Sequence, residues 1–76
     1  MKKDYYFGET LRVYRQRSGL TQENLAERIG VNRAYIAMLE TGQRRNLTSK
    51  KLANIIDTLD LSETETYQII SCLLEK

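Results

Sequence analysis

The 76-residue chain contains no histidine, no proline and a single cysteine, Cys72. Without histidine there is no Ser-His-Asp or Cys-His nucleophile arrangement, and one cysteine supplies neither an intramolecular disulfide nor a Cys/His zinc site. The absence of proline and the presence of only four glycines favour helices over a turn-rich β fold. We therefore expect no catalytic site, no metal site and no cofactor.

Long apolar runs are also absent, since the longest uninterrupted one is residues 36–39, or residues 34–39 when Tyr35 is counted as apolar. A bilayer span needs roughly 20 apolar residues, and Lys2-Lys3 are not followed by the apolar segment of a signal peptide. A single cysteine suits a reducing compartment. We therefore expect a cytoplasmic protein with no membrane partner.

The charge of the chain is nearly balanced, with 12 basic and 10 acidic residues and a formal net charge of +2. Its distribution is uneven, because residues 1–18 carry five basic and two acidic groups, whereas residues 61–76 carry one lysine and three glutamates. From charge alone, a solvated surface with chance clustering is the preferred interpretation, ahead of an anionic partner. Charge alone does not identify a partner.

Apolar residues recur at helical spacing along the chain, and no stretch alternates with period two. This spacing predicts five helices in one all-α domain over residues 1–76. The breaks are predicted at Ser18-Gly19, Gly30 and Gly42, and the N-cap candidates are Thr21, Asn32, Thr48 and Ser62. Ser62 and Glu65 have the spacing of a capping box, which opens the last helix within residues 62–76.

The second and third helices meet five steric requirements in one register. With Gln22 as position 1, position 5 is the small Ala26 and position 9 is Gly30, which tolerates a left-handed backbone. Positions 10, 15 and 18 are apolar and can lock the pair onto the other helices; they are Val31, Ile36 and Leu39. Two helices that cross steeply over a tight turn need these residue types.

Further residues extend this pattern on both sides: Leu11, Arg15, Gly19 to Glu23, Leu25, Glu40, Gly42, Leu52, Ile55 and Leu59. With them, roughly residues 7–61 resemble the phage-repressor, or Cro/XRE-type, helix-turn-helix DNA-binding family. The family usually has a proline ahead of the fourth helix, whereas this chain has residues 44–48 without one. A narrower likeness, to the controller proteins of restriction–modification systems, is carried by Asn32, Arg33, Tyr35, Ile36 and residues 45–48.

The resemblance implies that the third helix enters the major groove of double-stranded DNA. Arg33 is then expected to donate to guanine, with a solvated arginine as the alternative, and Ala34 to contact a thymine methyl. Met38 is expected either to contact a methyl or to pack on the surface. Tyr35 is expected to reach a phosphate or to pack over a sugar. Further backbone contacts are expected from Gln22, Asn32, Thr41, Gln43, Arg44 and Arg45, and the alternative for the last four is a solvated basic loop. Arg12 and Arg17 are outer candidates that could instead serve only solubility.

The same resemblance places Arg15 against Glu40 as an architectural ion pair. It also implies a homodimer, because one copy of this size makes too few base contacts for a specific site. The last helix is the expected interface, and its apolar residues form two neighbouring stripes, one able to close the core and one able to face a partner. These residues are Tyr67, Ile69, Ile70, Leu73 and Leu74. The alternative is a last helix absorbed in the core of a monomer.

The function expected from this resemblance is a transcriptional regulator, a repressor or an activator, that binds an inverted-repeat operator with half-sites about 34 Å apart. Exposed acidic residues near the DNA are candidates for a contact with RNA polymerase. The alternatives are an antitoxin that also binds its own promoter, and a protein–protein module on the same fold. Arg33 and the Arg44-Arg45 pair favour DNA. An enzyme has the least support, since no nucleophile accompanies a base.

Overall fold

A computed structural model describes residues 5–44 and 46–74, without the side chains of Tyr5, Tyr6 and Leu74. Within these residues the chain forms five α-helices and no strand. They are α1 (Tyr5–Arg17), α2 (Gln22–Ile29), α3 (Arg33–Thr41), α4 (Ser49–Leu59) and α5 (Glu63–Leu74). The all-α prediction, with the helix-turn-helix at α2 and α3, is thereby confirmed. No helix of this described part is long and apolar enough to cross a membrane.

The predicted N-caps are all in place. The side chains of Thr21, Asn32 and Thr48 each accept a hydrogen bond from the backbone N–H three residues further on, at 2.9, 2.9 and 3.1 Å. Ser62 and Glu65 form the capping box, in which each side chain accepts from the other's backbone N–H, at 3.2 and 3.0 Å. Such caps pair donors that the first helical turn leaves free, and each contributes about 1 kcal/mol.

Two helix ends show why some boundaries were predictable and others were not. Gly30 ends α2 with φ at 78°, a left-handed conformation that glycine adopts without a Cβ clash. The Val31 N–H then donates to the Ala26 carbonyl at 2.9 Å, which closes the turn. Helix α4 instead ends on Asp60 with φ at 53°. Aspartate adopts the left-handed backbone conformation more readily than most residues, but an aspartate in the sequence does not by itself predict the end of a helix.

The core draws on every helix. Its fully buried large side chains are Leu11, Leu25, Ile36, Leu39, Ile55 and Ile69. Helix α3 packs against both α1 and α2, while α4 covers α2 and α5 covers α1. Complete burial of one Leu or Ile side chain stabilises the fold by about 1.5–3 kcal/mol. The inner face of α3 is therefore fixed, and its outer face is left for another role.

Helix α5 divides its apolar residues between core and surface. Ile69 is fully buried in the core of its own chain, so it belongs to the core and not to the expected dimer interface. Ile70 and Leu73 are half-buried against the same core, whereas Tyr67 is 73% exposed. The side chain of Leu74 lies outside the described residues. Of the expected interface residues whose side chains the structure describes, Tyr67 is the one that presents most of its surface to solvent.

Polar contacts attach α5 to α1. The Tyr14 hydroxyl donates to Gln68 Oε1 at 2.9 Å, and Arg17 Nη1 lies 2.7 Å from Glu65 Oε2. The hydrogen bond from Arg17 holds the pKa of the Glu65 carboxyl below its usual range, and the Ser62 backbone N–H adds to this effect. Arg17, an outer candidate for DNA contact, is therefore engaged within the protein.

Candidate nucleic-acid interface

The crossing of α2 and α3 directs the first turn of α3 outward. Ala26 lies at the crossing with 2% of its surface exposed, while Ile36 and Leu39 face the core. The opposite side of α3 leaves Arg33 and Ala34 exposed. The nine residues of α3 span about 13 Å, a length comparable to the width of the major groove, about 12 Å.

Gln22 and Arg33 meet at the edge formed by the first turns of α2 and α3. Arg33 Nη1 donates to Gln22 Oε1 at 3.3 Å, although the two residues are eleven positions apart. Both residues begin their helices, so the positive ends of two helix dipoles lie at this edge. Two N-termini with an amide and a guanidinium are chemically suited to a phosphate and a neighbouring base edge.

Tyr35 holds the loop that follows α3. Its hydroxyl donates to the Asn46 carbonyl at 2.9 Å, and the Arg44 guanidinium lies 5.1 Å from the centre of its ring. Burial raises the pKa of the Tyr35 hydroxyl, while the charge of Arg44 acts in the opposite direction. The hydroxyl proton is thus engaged by the loop, a role that the sequence did not indicate. The contact with Asn46 could not be predicted either, because a backbone carbonyl acceptor leaves no trace in residue type.

The loop brings two predicted backbone contacts next to a predicted base contact. Met38, Gln43 and Arg44 line one hollow of about 530 Å³ together with Gly42 and Asn46. The Arg44 backbone N–H donates to the Met38 carbonyl at 3.1 Å, which folds the loop back against the end of α3. The half-buried Met38 therefore lies where the surface of α3 meets the basic loop that follows it.

The other predicted contacts are placed as follows. Asn32 is exposed, but its side-chain oxygen caps α3. Thr41 is exposed, and its hydroxyl donates to the Met38 carbonyl at 3.3 Å. Arg45 lies outside the described residues. Asn32 and Thr41 thus have local structural roles in addition to any contact with DNA.

The ion pair that the resemblance implies is present and buried. Arg15 and Glu40 are each 7% exposed, and Arg15 Nε and Nη2 donate to the two carboxylate oxygens at 2.5 and 3.1 Å. The third donor, Nη1, bonds the Leu20 carbonyl at 2.7 Å. Glu40 Oε1 also accepts from Gln22 Nε2 at 3.0 Å, a contact that the sequence did not indicate. The ion pair is therefore connected to the edge that carries Arg33.

Comparison with known families agrees with this geometry. The helix-turn-helix domain family matches residues 6–68, and the chain belongs to that family. The resemblance seen in the sequence is confirmed at this level.

Among curated proteins, the chain is 30% identical over 69 residues to the HTH-type transcriptional regulator SlrR of Bacillus subtilis (strain 168). The aligned region covers 91% of this chain and 45% of SlrR. The chain therefore spans about half the length of this relative.

Proposed function

We propose that the protein is a sequence-specific DNA-binding transcription regulator that reads double-stranded DNA with α3. The observation that carries this proposal is the outward-facing edge where Arg33 and Gln22 meet at two helix N-termini. Membership of the helix-turn-helix family and likeness to a protein named as a transcriptional regulator support it. The basic loop after α3 supplies a second point of attachment for the phosphate backbone.

The groups along this face divide into two kinds. Arg33 donates to guanine, while Ala34 and Met38 contact thymine methyl groups, so these three carry sequence information. The remaining groups fix the position of the protein on the backbone. They are Gln22, Asn32, Thr41, Gln43, Arg44 and Arg45, together with Tyr35, whose ring packs over a sugar because its hydroxyl proton is donated to the Asn46 carbonyl.

A dimer fits the dimensions of the protein. The longest Cα extent of the chain is 32 Å, and a single recognition helix reads one stretch of major groove. Two half-sites one helical turn apart are about 34 Å from each other, so two copies side by side are needed to read both. The inverted-repeat operator and the homodimer are parts of the same proposal.

The surface proposed for the dimer lies between α1 and α5. Among the described residues, Val13 and Tyr67 are the large hydrophobic side chains left exposed, at 54% and 73%. Both line one groove of about 480 Å³, together with Thr10 and Cys72. Exposed apolar side chains that cluster in this way are typical of protein contacts. The proposed interface therefore includes α1, which the sequence did not suggest, as well as α5.

Two finer assignments accompany the proposal. The likeness to restriction–modification controller proteins favours a regulator of that kind. Glu23 and Glu27 line a hollow of about 310 Å³ together with Arg33, so acidic side chains lie next to the reading face. They are the candidates for a contact with RNA polymerase.

Salt dependence tests the DNA proposal. Binding selection on random duplex DNA, followed by footprinting, is expected to yield a palindromic site. The affinity for that site is expected to fall about 10³–10⁵-fold between 50 and 200 mM salt, if six to ten phosphate contacts release counterions. A flat salt dependence, or no selected site, contradicts the proposal and favours a protein partner, as for an interaction module. An antitoxin would bind the duplex and a toxin together.

The dimer proposal is tested by replacing Tyr67 with serine. The parent chain is expected to sediment as a dimer at tens of micromolar, and Tyr67→Ser to shift it towards the monomer, because a large apolar contact is lost. Thr64→Ser, an exposed position on the same helix, is the matched control and is expected to sediment like the parent. A parent chain that remains monomeric at this concentration contradicts the interface.

A further inference from the structure

Four side chains from three helices form one continuous hydrogen-bond network. It begins at Arg15 in the protein interior, passes through Glu40 and Gln22, and ends at the exposed Arg33. The donor–acceptor distances outward from Glu40 are 3.0 Å to Gln22 Nε2 and, from Gln22 Oε1, 3.3 Å to Arg33 Nη1. The network thus connects the buried Arg15–Glu40 ion pair to the proposed base-reading side chain.

The chemistry of these groups fixes their direction. An ionised carboxylate only accepts hydrogen bonds, so Glu40 can bind only the NH₂ end of the Gln22 amide. The opposite end of that amide, its carbonyl oxygen, is then turned towards Arg33, whose guanidinium only donates. With the reverse amide orientation, NH₂ would face the guanidinium and two donors would meet. Arg15 donates to both carboxylate oxygens of Glu40 and so keeps that carboxylate in place.

We infer that Glu40 and Gln22 are positioning residues, which hold the Arg33 guanidinium for base recognition before DNA arrives. A free arginine side chain loses rotamer freedom when it binds, and one held in advance loses less. While one N–H of the Arg33 guanidinium is donated to Gln22, the other N–H groups remain free to donate to the two acceptors of a guanine edge. This inference rests on the proposed DNA-binding function, and it gives Glu40 a part in sequence discrimination although Glu40 itself is buried.

The substitution Gln22→Met tests the inference on DNA. Methionine has a similar length but no amide, so it removes both hydrogen bonds at a half-buried surface position. We expect discrimination between the selected base pair read by Arg33 and its alternatives to fall roughly tenfold, within the range one bidentate base contact provides. In an Arg33→Ala background, Gln22→Met is expected to cause no further loss of discrimination.

Gln43→Met is the matched control, since it removes an amide from the proposed phosphate contacts with no hydrogen bond to Arg33. It is expected to weaken binding to all sequences alike and to leave discrimination unchanged, because phosphate contacts carry no sequence information. If Gln22→Met also weakens all sequences alike, Gln22 is only a phosphate contact and the inference is wrong.

A measurement without DNA separates this inference from the proposed function. The ¹⁵N order parameter of Arg33 Nε is expected to be lower in Gln22→Met than in the parent, and unchanged in Gln16→Met, a control at an exposed glutamine of α1. Glu40→Gln is expected to lower it too, because an amide at position 40 can also donate and so allows the Gln22 amide to reverse. Unchanged Arg33 mobility in Gln22→Met overturns the inference. A parent chain that does not bind DNA overturns the proposed function, whatever the mobility of Arg33.

Discussion

Replacement of Arg15 by alanine is expected to lower the free energy of unfolding by about 3–5 kcal/mol, because it leaves the Glu40 carboxylate buried without its cationic partner. The burial of both partners decides this magnitude, since an exposed pair would contribute only about 0–1 kcal/mol. At about 0.05–0.15 kcal/mol per residue, a domain of this size has a total stability of roughly 4–11 kcal/mol. The substitution therefore removes a large part of the stability, and it weakens any DNA binding as well.

Urea unfolding followed by circular dichroism measures this loss. Arg12→Ala is the matched control, because Arg12 is an exposed arginine on the same helix. A surface substitution of that kind is expected to change the stability by less than about 0.5 kcal/mol. If Arg15→Ala unfolds at the same urea concentration as the parent, the pair does not have the structural role given to it here.

A double variant separates the net stabilisation that the ion pair provides from the cost of burying one of its charges without a partner. Arg15→Met with Glu40→Leu removes both charges and keeps much of the volume, so no buried charge is left without a partner. It is expected to be more stable than either single variant. The recovery is incomplete, because the Leu20 carbonyl still loses the donor that Arg15 Nη1 supplies.

The parts of the fold that could be predicted from the sequence depend on short-range chemistry. The cap at Thr21 and the capping box of Ser62 and Glu65 each involve residues three positions apart. The positive φ of Gly30 is favoured by the residue type itself, because glycine has no Cβ atom. Both signals are complete within one turn of chain. Asp60 ends α4 with the same left-handed geometry but lacks this signal, because a residue with a Cβ atom does not demand that conformation.

The parts that could not be predicted depend on how the helices dock. Helical periodicity separated the apolar residues of α5 into two stripes, but the burial of Ile69 and the exposure of Tyr67 follow from how α5 packs on α1. The contact between Gln22 and Glu40 joins residues 18 positions apart, on helices whose relative placement the sequence does not state. The Arg15–Glu40 pair was expected only because a family resemblance supplied that placement.

Gly8 is the clearest case of a residue whose role the sequence did not reveal. It lies inside α1, where glycine is unfavourable by about 1 kcal/mol relative to alanine, so propensity alone would favour Gly8→Ala. The packing opposes this substitution. A Cβ atom at position 8 would lie 2.3 Å from the Glu40 carbonyl oxygen and 2.7 Å from that of Leu39. Both contacts are to the backbone of α3, which cannot rotate away as a side chain can.

We therefore expect Gly8→Ala to destabilise the fold by about 2 kcal/mol net, since overpacking of a close helix contact costs up to about 3 kcal/mol and exceeds the gain in propensity. Chemical denaturation measures the change, with Glu9→Ala as the control at the exposed next position of the same helix. The added methyl group moves α1 away from Glu40, so the variant also strains the ion pair, and its effect is expected to be smaller in an Arg15→Met, Glu40→Leu background. A Gly8→Ala variant as stable as the parent would mean that α1 and α3 are not in close contact at this position.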